Sequence, residues 1–403
     1  MKNTILALSV FLSGLFFAQN HSPELTKYVD FLDRQNVSAK DYVLGLFQKY
    51  DIVVLCERHH GEMTQYDLIY DITSSPYFEK NVGNIFTEVG SISSRENVQN
   101  FIHTKFNNGE EKTRQQTDMY RNIFPYGIWE KTNFYDFFGK LNTLNSKLNK
   151  SKKINLFVTD IRKPDENEWS SAKNLNKYFI EVAAKRDSII AQNVIKTFDS
   201  LKHSSDRKKA LVIMNYRHAF SKTLGGDKIL NVGDYLSQYY GERFANVLIN
   251  SSVLLPEVLK NEENKPKAFQ GMQESLAQGG KWDAAFKVAG KENLGFDFQN
   301  SPFGKDDFDK WVNQNPYNYQ DIFTGFVFYL PIEKHMDSFG VKDLVKGYEE
   351  EVYKKQVLVY QSLGADTSSM SIETVQEVSE VQTEKPYEDL DKMLIMRDQW
   401  LGK

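Results

Sequence analysis

The stretch Asp51-Ile52-Val53-Val54-Leu55-Cys56-Glu57-Arg58-His59-His60-Gly61 decides how this chain is read. A short apolar run rich in β-branched residues predicts a buried strand. The carboxylate, guanidinium and two imidazoles that follow predict a loop leaving the strand's carboxyl end. In open parallel α/β sheets, ligands bind at that edge. The chain repeats the device. Asn84–Gly90, Ile154–Asp160 and Lys209–Asn215 each read as an apolar strand that ends in polar groups: Glu88, Asp160 followed by Arg162, and Asn215 followed by His218. One polar strand end is weak evidence of a site. Four that share an edge are stronger.

The intervening segments read as helices. Ser22 and Pro23 form a helix start, with Ser22 as N-cap and Pro23 at the first helical position, and a second short helix is expected over residues 41–49. A helix over residues 63–74, stopped by Pro76, links the first two strands, so these should be parallel. Residues 91–153 are expected to be a mainly helical segment rich in Phe, Tyr and Asn. A long helix is expected over 174–201, further helices over 232–239 and 341–363, and strands over 243–250 and 322–330. Residues 256–280 read as an exposed insertion.

Composition bounds the rest. Of 403 residues, Lys and Arg number 50 and Asp and Glu 54, a net charge of −4 that argues against nucleic acid as the main partner. Residues 1–18 read as a cleaved signal peptide: Lys2, an apolar stretch from Ile5 to Phe17, then Ala18 before a polar sequence. No cysteine follows that stretch, so no lipobox is expected, and the location implied is secreted or periplasmic. No later run is long and apolar enough for an integral membrane segment after signal cleavage. The sole cysteine, Cys56, excludes an internal disulfide framework. It sits at the end of a buried strand, where a thiol packs as a small apolar residue. Residues 19–363 are expected to form one α/β domain, with the helical insertion at about 91–153. Residues 364–403, rich in Ser, Thr and Glu, read as a polar, partly disordered C-terminal tail, on which a last short helix from Tyr387 to Trp400 could dock back.

The strand ends suggest two chemistries. An imidazole oriented by a carboxylate can act as general base on water. Alternatively His59, His60, His218, Glu57 and Glu88 are candidate ligands for a divalent metal ion. Bland roles compete: Glu88 as a helix-cap acid, Asp160 with Arg162 as a structural ion pair, His218 as a core histidine. There is no Gly-x-Ser-x-Gly elbow, Walker A loop, Gly-x-Gly-x-x-Gly or His-Glu-x-x-His. A hydrolase would therefore act through activated water on a small-molecule substrate. The aromatic residues of the insertion, Phe101, Phe106, Tyr120, Phe124, Tyr126 and Trp129, would suit an apolar or cyclic ligand or serve as the insertion's own core.

Several segments carry a family resemblance. Glu57-Arg58-His59-His60-Gly61 resembles the Gly-Glu-x-x-His-Gly motif of the erythromycin esterase family, part of a wider superfamily with ChaN-like haem-binding lipoproteins and Tiki-type proteases. Glu88, Asp160, Arg186–Asn193, Asn215–His218, Val232–Arg243 and Gly325–Phe328 match further family segments in order, over roughly residues 45–335. Cys56 stands where the motif has glycine, Asn215 replaces a histidine, and Thr324 replaces an acid. The resemblance implies a three-layer α/β/α fold with a mostly parallel sheet, a helical insertion and a cleft at the sheet's carboxyl edge. It implies that His60 is the base, that Glu57 and Glu88 orient and polarise the water, and that His218 assists. His59, Asp160, Arg162 and Asn215 would support. A metal- or haem-binding protein, a Tiki-like metalloprotease and a degenerate binding protein are the other functions that it allows.

Overall fold

The computed structural model describes residues 22–224, 230–256, 272–309 and 316–402. The expected signal peptide and most of the expected insertion at 256–280 lie outside these residues. The strands in chain order are β1 Ile52–Glu57, β2 Asn84–Ser91, β3 Asn155–Asp160, β4 Ala210–Asn215, β5 Phe244–Ile249, β6 Ser252–Pro256, β7 Met272–Leu276, β8 Asn293–Asp297, β9 Gly325–Tyr329, β10 Asp337–Phe339 and β11 Thr383–Lys385. Seven of them form one sheet in the order β3-β2-β4-β1-β5-β9-β8. All neighbours are parallel except β8 and β9. β6 and β7 form a separate antiparallel pair, as do β10 and β11.

Three layers follow from the alternation of side chains along the strands. Ile52, Val54 and Cys56 of β1, with Ala210, Val212 and Met214 of β4, face one core. There they meet Leu32, Val194, Leu236 and Phe286 from four helices. Val53, Leu55, Leu211 and Ile213 face the other core, against Val43, Ile69, Phe101 and Phe137. Strands covered on both faces need apolar residues at every position, and β1 is buried throughout. The Cys56 thiol belongs to the first core, as the strand pattern requires.

β1 and β2 are parallel but not neighbours, because β4 lies between them. The carboxyl ends of β1 to β4 therefore share one edge. Two local differences from the expected elements have visible causes. Pro76 does not only stop a helix: Ser75 accepts the Phe78 N–H and Pro76 opens a new helix, Pro76–Asn81. The expected helix over 174–201 is two helices, Ala172–Glu181 and Arg186–Ser204, joined by a 3-10 turn. The break sets Arg186 and Asp187 at the start of the second helix.

The C-terminal segment, expected as a polar tail with a last short helix that could dock back, is folded against the body and includes that helix. It folds back as helices Ile372–Glu380 and Leu390–Trp400, with β11 between them paired to β10. Part of its apolar set falls on the body: Val375, Tyr387, Met393 and Leu401 are buried, while Val378, Val381 and Ile395 stay exposed. The Trp400 indole donates to the Gly279 carbonyl at 2.9 Å, and Arg397 pairs with Glu333 at 2.8 Å. Met393 is fully buried among Leu276, Ile332 and Tyr387. Met393→Ala is therefore expected to cost about 2–5 kcal/mol, read as a lower urea midpoint at unchanged slope. A change under about 0.5 kcal/mol, the range of surface substitutions, would show that the segment is loose.

Candidate functional site

Glu57 is the last residue of β1, and its carboxylate is buried. One oxygen accepts the Tyr66 hydroxyl at 2.5 Å, and the other lies 3.1 Å from His60 Nδ1. The loop that carries His60 is pinned from the insertion: the Asn133 amide donates to the His60 and Glu62 carbonyls at 2.8 and 2.9 Å. Glu88 lies in β2 where the register to β3 shifts between Thr87 and Ser91. Gly90 makes that irregularity possible, with φ at +111° and Val158 where a Cβ would lie. The Glu88 carboxylate reaches His60 Nε2 at 3.3 Å and accepts the Asn215 backbone N–H at 3.0 Å.

Both ring nitrogens of His60 thus face carboxylates. Each ionised carboxylate can only accept, so the ring satisfies both by carrying both protons. Burial disfavours that charge, but hydrogen bonds to Glu57 and Glu88 and their negative charges outweigh it and raise His60 to about 9. Burial also pushes Glu88 up, and here the electrostatic influence of His218, the His60 hydrogen bond and Arg186 prevail and hold it at about 2. At neutral pH these shifts favour the imidazolium of His60 and the carboxylate of Glu88.

A second tier completes the wall. Asp160, which closes β3, is gripped by Arg186 through Nε to Oδ1 at 2.7 Å and Nη2 to Oδ2 at 3.0 Å. Arg186 Nη2 stands 4.0 Å from Glu88, and Nη1 lies 3.3 Å from His218 Nε2. The other His218 nitrogen lies 2.9 Å from Asp187. His218 is placed by the close approach of the next helix, since a Cβ on Gly233 would lie 2.6 Å from the Ala219 and Phe220 carbonyls. The structure therefore brings Glu57, His60, Glu88, Asp160 and His218 to one edge.

Two of the expected site residues go elsewhere, and a third, Asn215, stays in support. His59 turns to Asp337 at 3.2 Å and leaves its side chain 43% exposed. Arg162 pairs with Glu168 at 2.7 Å on the surface instead of with Asp160. Asn215 acts through the backbone bond to Glu88 and a side-chain bond to the Arg58 carbonyl. The sequence alone assigns no role to Arg186, Asp187 or Tyr66, which the site uses. Arg186 and Asp187 begin a helix segment that resembles the family's, and Tyr66 reads as a packing position, so no local pattern marks them.

The donor set does not fit a resident metal ion. Among the described residues, no group of three or more His, Cys, Asp or Glu side chains could hold one. His60 presents both nitrogens to carboxylates, while His59 meets Asp337 through Nδ1 and His218 lies between Asp187 and Arg186.

The aromatic residues of the insertion divide by position. Phe101 and Tyr120 are buried in the second core, and Phe106 packs on Phe101. Trp129 instead stands edge-on to His60 at 5.0 Å, with Phe124 4.9 Å beyond it. Tyr126 packs on Phe179. In this aromatic strap, residues 124–129, the Trp129 indole nitrogen is buried and has no hydrogen-bond partner among the described residues; outside it, His218 Nδ1 is likewise without a hydrogen bond.

No protein-family model matches the chain, and no curated protein matches it. Solved structures similar to it include a protein from Bacillus cereus, at 13% identity over 75% of this chain and 96% of that one, with a TM-score of 0.45. A succinoglycan biosynthesis protein matches at 10% identity over 77% and 98%, with a TM-score of 0.45. An erythromycin esterase mutant in its open conformation matches at 11% identity over 71% and 91%, with a TM-score of 0.44.

The clamp on His60 has a sign in pH. Raised from 6.5 to about 9 on folding, His60 contributes stability in full below about pH 6.5, and that contribution is lost as pH rises through about 9. Glu88, lowered from 4.5 to about 2, contributes above 4.5 and loses its share as pH falls through about 2. Both describe one contact, so its energy counts once. The melting-temperature advantage of the native chain over His60→Gln is expected to be largest near pH 5–6.5 and to shrink by a few degrees towards about pH 9.5. An advantage that grows with pH would show that the ring is neutral.

Proposed function

We propose that this protein is a hydrolase of the esterase type, acting on a small molecule through water activated at the Glu57–His60–Glu88 centre. The observation that carries the reading is the imidazole held on both nitrogens by buried carboxylates from two strand ends of one sheet edge. The resemblance of the Glu57–Gly61 segment to the erythromycin esterase motif supports the same class. The apolar N-terminal segment supports export, with action outside the cytoplasm.

The resting protonation state shapes the mechanism. His60 becomes a base when it sheds its proton, either as pH passes about 9 or when substrate separates Nε2 from Glu88 and removes one of the two anions that hold the charge. Nε2 then takes a proton from water, and the hydroxide attacks the ester carbonyl carbon. The same proton passes to the departing alkoxide, so that ester and water give acid and alcohol. Glu57 keeps Nδ1 protonated and the ring in place. Arg186 stands beside Glu88 and offsets negative charge as it develops on the carbonyl oxygen.

A binding protein without turnover is the second reading. It is favoured by the same doubly clamped imidazolium, which is only 25% exposed and leaves no ring nitrogen unengaged at neutral pH.

The pH dependence of 4-nitrophenyl butyrate hydrolysis separates the two. For a hydrolase, kcat/KM is expected to rise with pH to a limb near 9, since that ratio reports the free enzyme. His60→Ala should lower it by roughly 100-fold or more. Glu88→Gln removes one of the anions that hold the His60 proton and should move the limb to lower pH. Activity that survives His60→Ala, or a limb that Glu88→Gln leaves in place, would remove His60 as the base. Absence of turnover at every pH would leave the binding reading.

A further inference from the structure

Beside the aromatic strap lies a cavity of about 600 Å³ that the proposed mechanism does not use. Phe124, Ile128 and Gly127 of the strap form one wall, so it is two ring contacts from His60: Phe124 to Trp129, and Trp129 to His60. The opposite wall comes from the loop after β3, with Lys163 and Trp169, and from the Glu349–Ser362 helix, with Lys355.

The charged groups of this cavity are not equivalent. Arg121 is engaged by Asp118 at 3.0 Å and by the Leu344 carbonyl at 2.6 Å. Lys355 is engaged by Glu351 at 2.7 Å. Asp165 accepts the Glu168 backbone N–H at 2.9 Å, and Glu166 is exposed at the rim. The Lys163 ammonium, on a half-buried side chain, has no hydrogen bond or ion pair among the described residues. Burial and the charge of Lys355 lower its pKa, and no carboxylate offsets them. A desolvated, unpaired cation in a roomy cavity with an aromatic wall is short of an anion.

We propose that this cavity receives the non-reacting end of the substrate and that this end is a carboxylate on an apolar or cyclic body, the carboxylate on Lys163 and the body against Phe124 and Ile128. Lys163 lies three residues beyond Asp160, on the same sheet edge as His60. An ester seated this way reaches the imidazole only with an acyl chain long enough to pass Phe124 and Trp129. The direction of the reacting end rests on the hydrolytic reading; the anion site does not.

Two measurements test the two parts separately. In the first, 3-phenylpropanoate and its uncharged amide are titrated into the His60→Ala protein and followed by tryptophan fluorescence. The acid is expected to bind ~10-fold tighter than the amide, the scale of one charge-assisted hydrogen bond. The preference should vanish in His60→Ala/Lys163→Met, which keeps the apolar stem, and persist in His60→Ala/Lys163→Arg. Equal binding of acid and amide, or a preference that survives Lys163→Met, overturns the anion site. In the second, the native chain is given mono-4-nitrophenyl sebacate and 4-nitrophenyl decanoate, esters of equal acyl length that can span from Lys163 past both rings. The ratio of their kcat/KM values should favour the sebacate and fall ~10-fold in Lys163→Met. If neither ester is cleaved while the acid still binds selectively, the hydrolytic reading fails and the anion site stands. If both are cleaved without preference, the placement of the substrate's anionic end is overturned while the hydrolytic reading stands.

Discussion

Burying carboxylates at one sheet edge is the constraint that organises this structure. Glu57, Glu88 and Asp160 lie at the carboxyl ends of parallel strands in one sheet, and all are removed from water. An isolated buried carboxylate is costly enough that it protonates or finds a partner. Here the partners alternate with the acids. His60 lies between Glu57 and Glu88, and Arg186 between Glu88 and Asp160. Neutral donors take up further oxygens: the Tyr66 hydroxyl, the Asn215 backbone N–H and the Ile161 backbone N–H. Removal of either cation would leave two acids facing each other in a medium of low dielectric, so each element that supplies a cation is tied to the strand ends.

That requirement accounts for features that look separate along the chain. The helix break before Arg186 places the guanidinium over Asp160. The irregularity at Gly90 turns Glu88 towards the ring. A second ion pair beneath the loop, Arg58 with Glu62 at 2.8 Å, is fully buried and further bonded to Asn250 and the Tyr329 carbonyl. It fastens the segment between Glu57 and Gly61 to β5 and β9 without entering the site. The loop is therefore fixed by one network on its core side and by another on its cleft side, and His60 has little freedom except to exchange protons.

The parts of this arrangement that are local are legible in the sequence. An apolar run that stops abruptly at an acid marks the end of a buried strand, because the acid must leave the core that the run fills. Parallel order follows from the helical connections. Hence Glu57, His60, Glu88, Asp160 and His218, and the sheet edge they share, stand out from the chain alone, although which side chains touch does not. What is not legible depends on distance in sequence. Asp160 pairs with Arg186, 26 residues on, and not with Arg162, because the nearer arginine is drawn to Glu168. His59 and His60 are equivalent as letters, yet the turn sends one to Asp337 and the other to Glu57. The C-terminal segment misleads by composition. Most of its Ser, Thr and Glu residues clothe exposed faces, while Val375, Tyr387, Met393 and Leu401 do the anchoring.

The protonation state of His60 is also outside the reach of the sequence, and it changes what the motif means. A histidine near a glutamate suggests a base poised at neutral pH. A histidine between two buried glutamates is a charged group that must be released before it can act as one. Enzymes separate acid and base roles by giving like groups unlike surroundings. Here the surroundings of the resting site store a proton on His60, and Glu88 decides whether it stays there. A neutral group that takes the place of that carboxylate at Nε2 lowers the proton affinity of the ring by its own arrival. Under the proposed hydrolytic reading, binding and activation are then the same event.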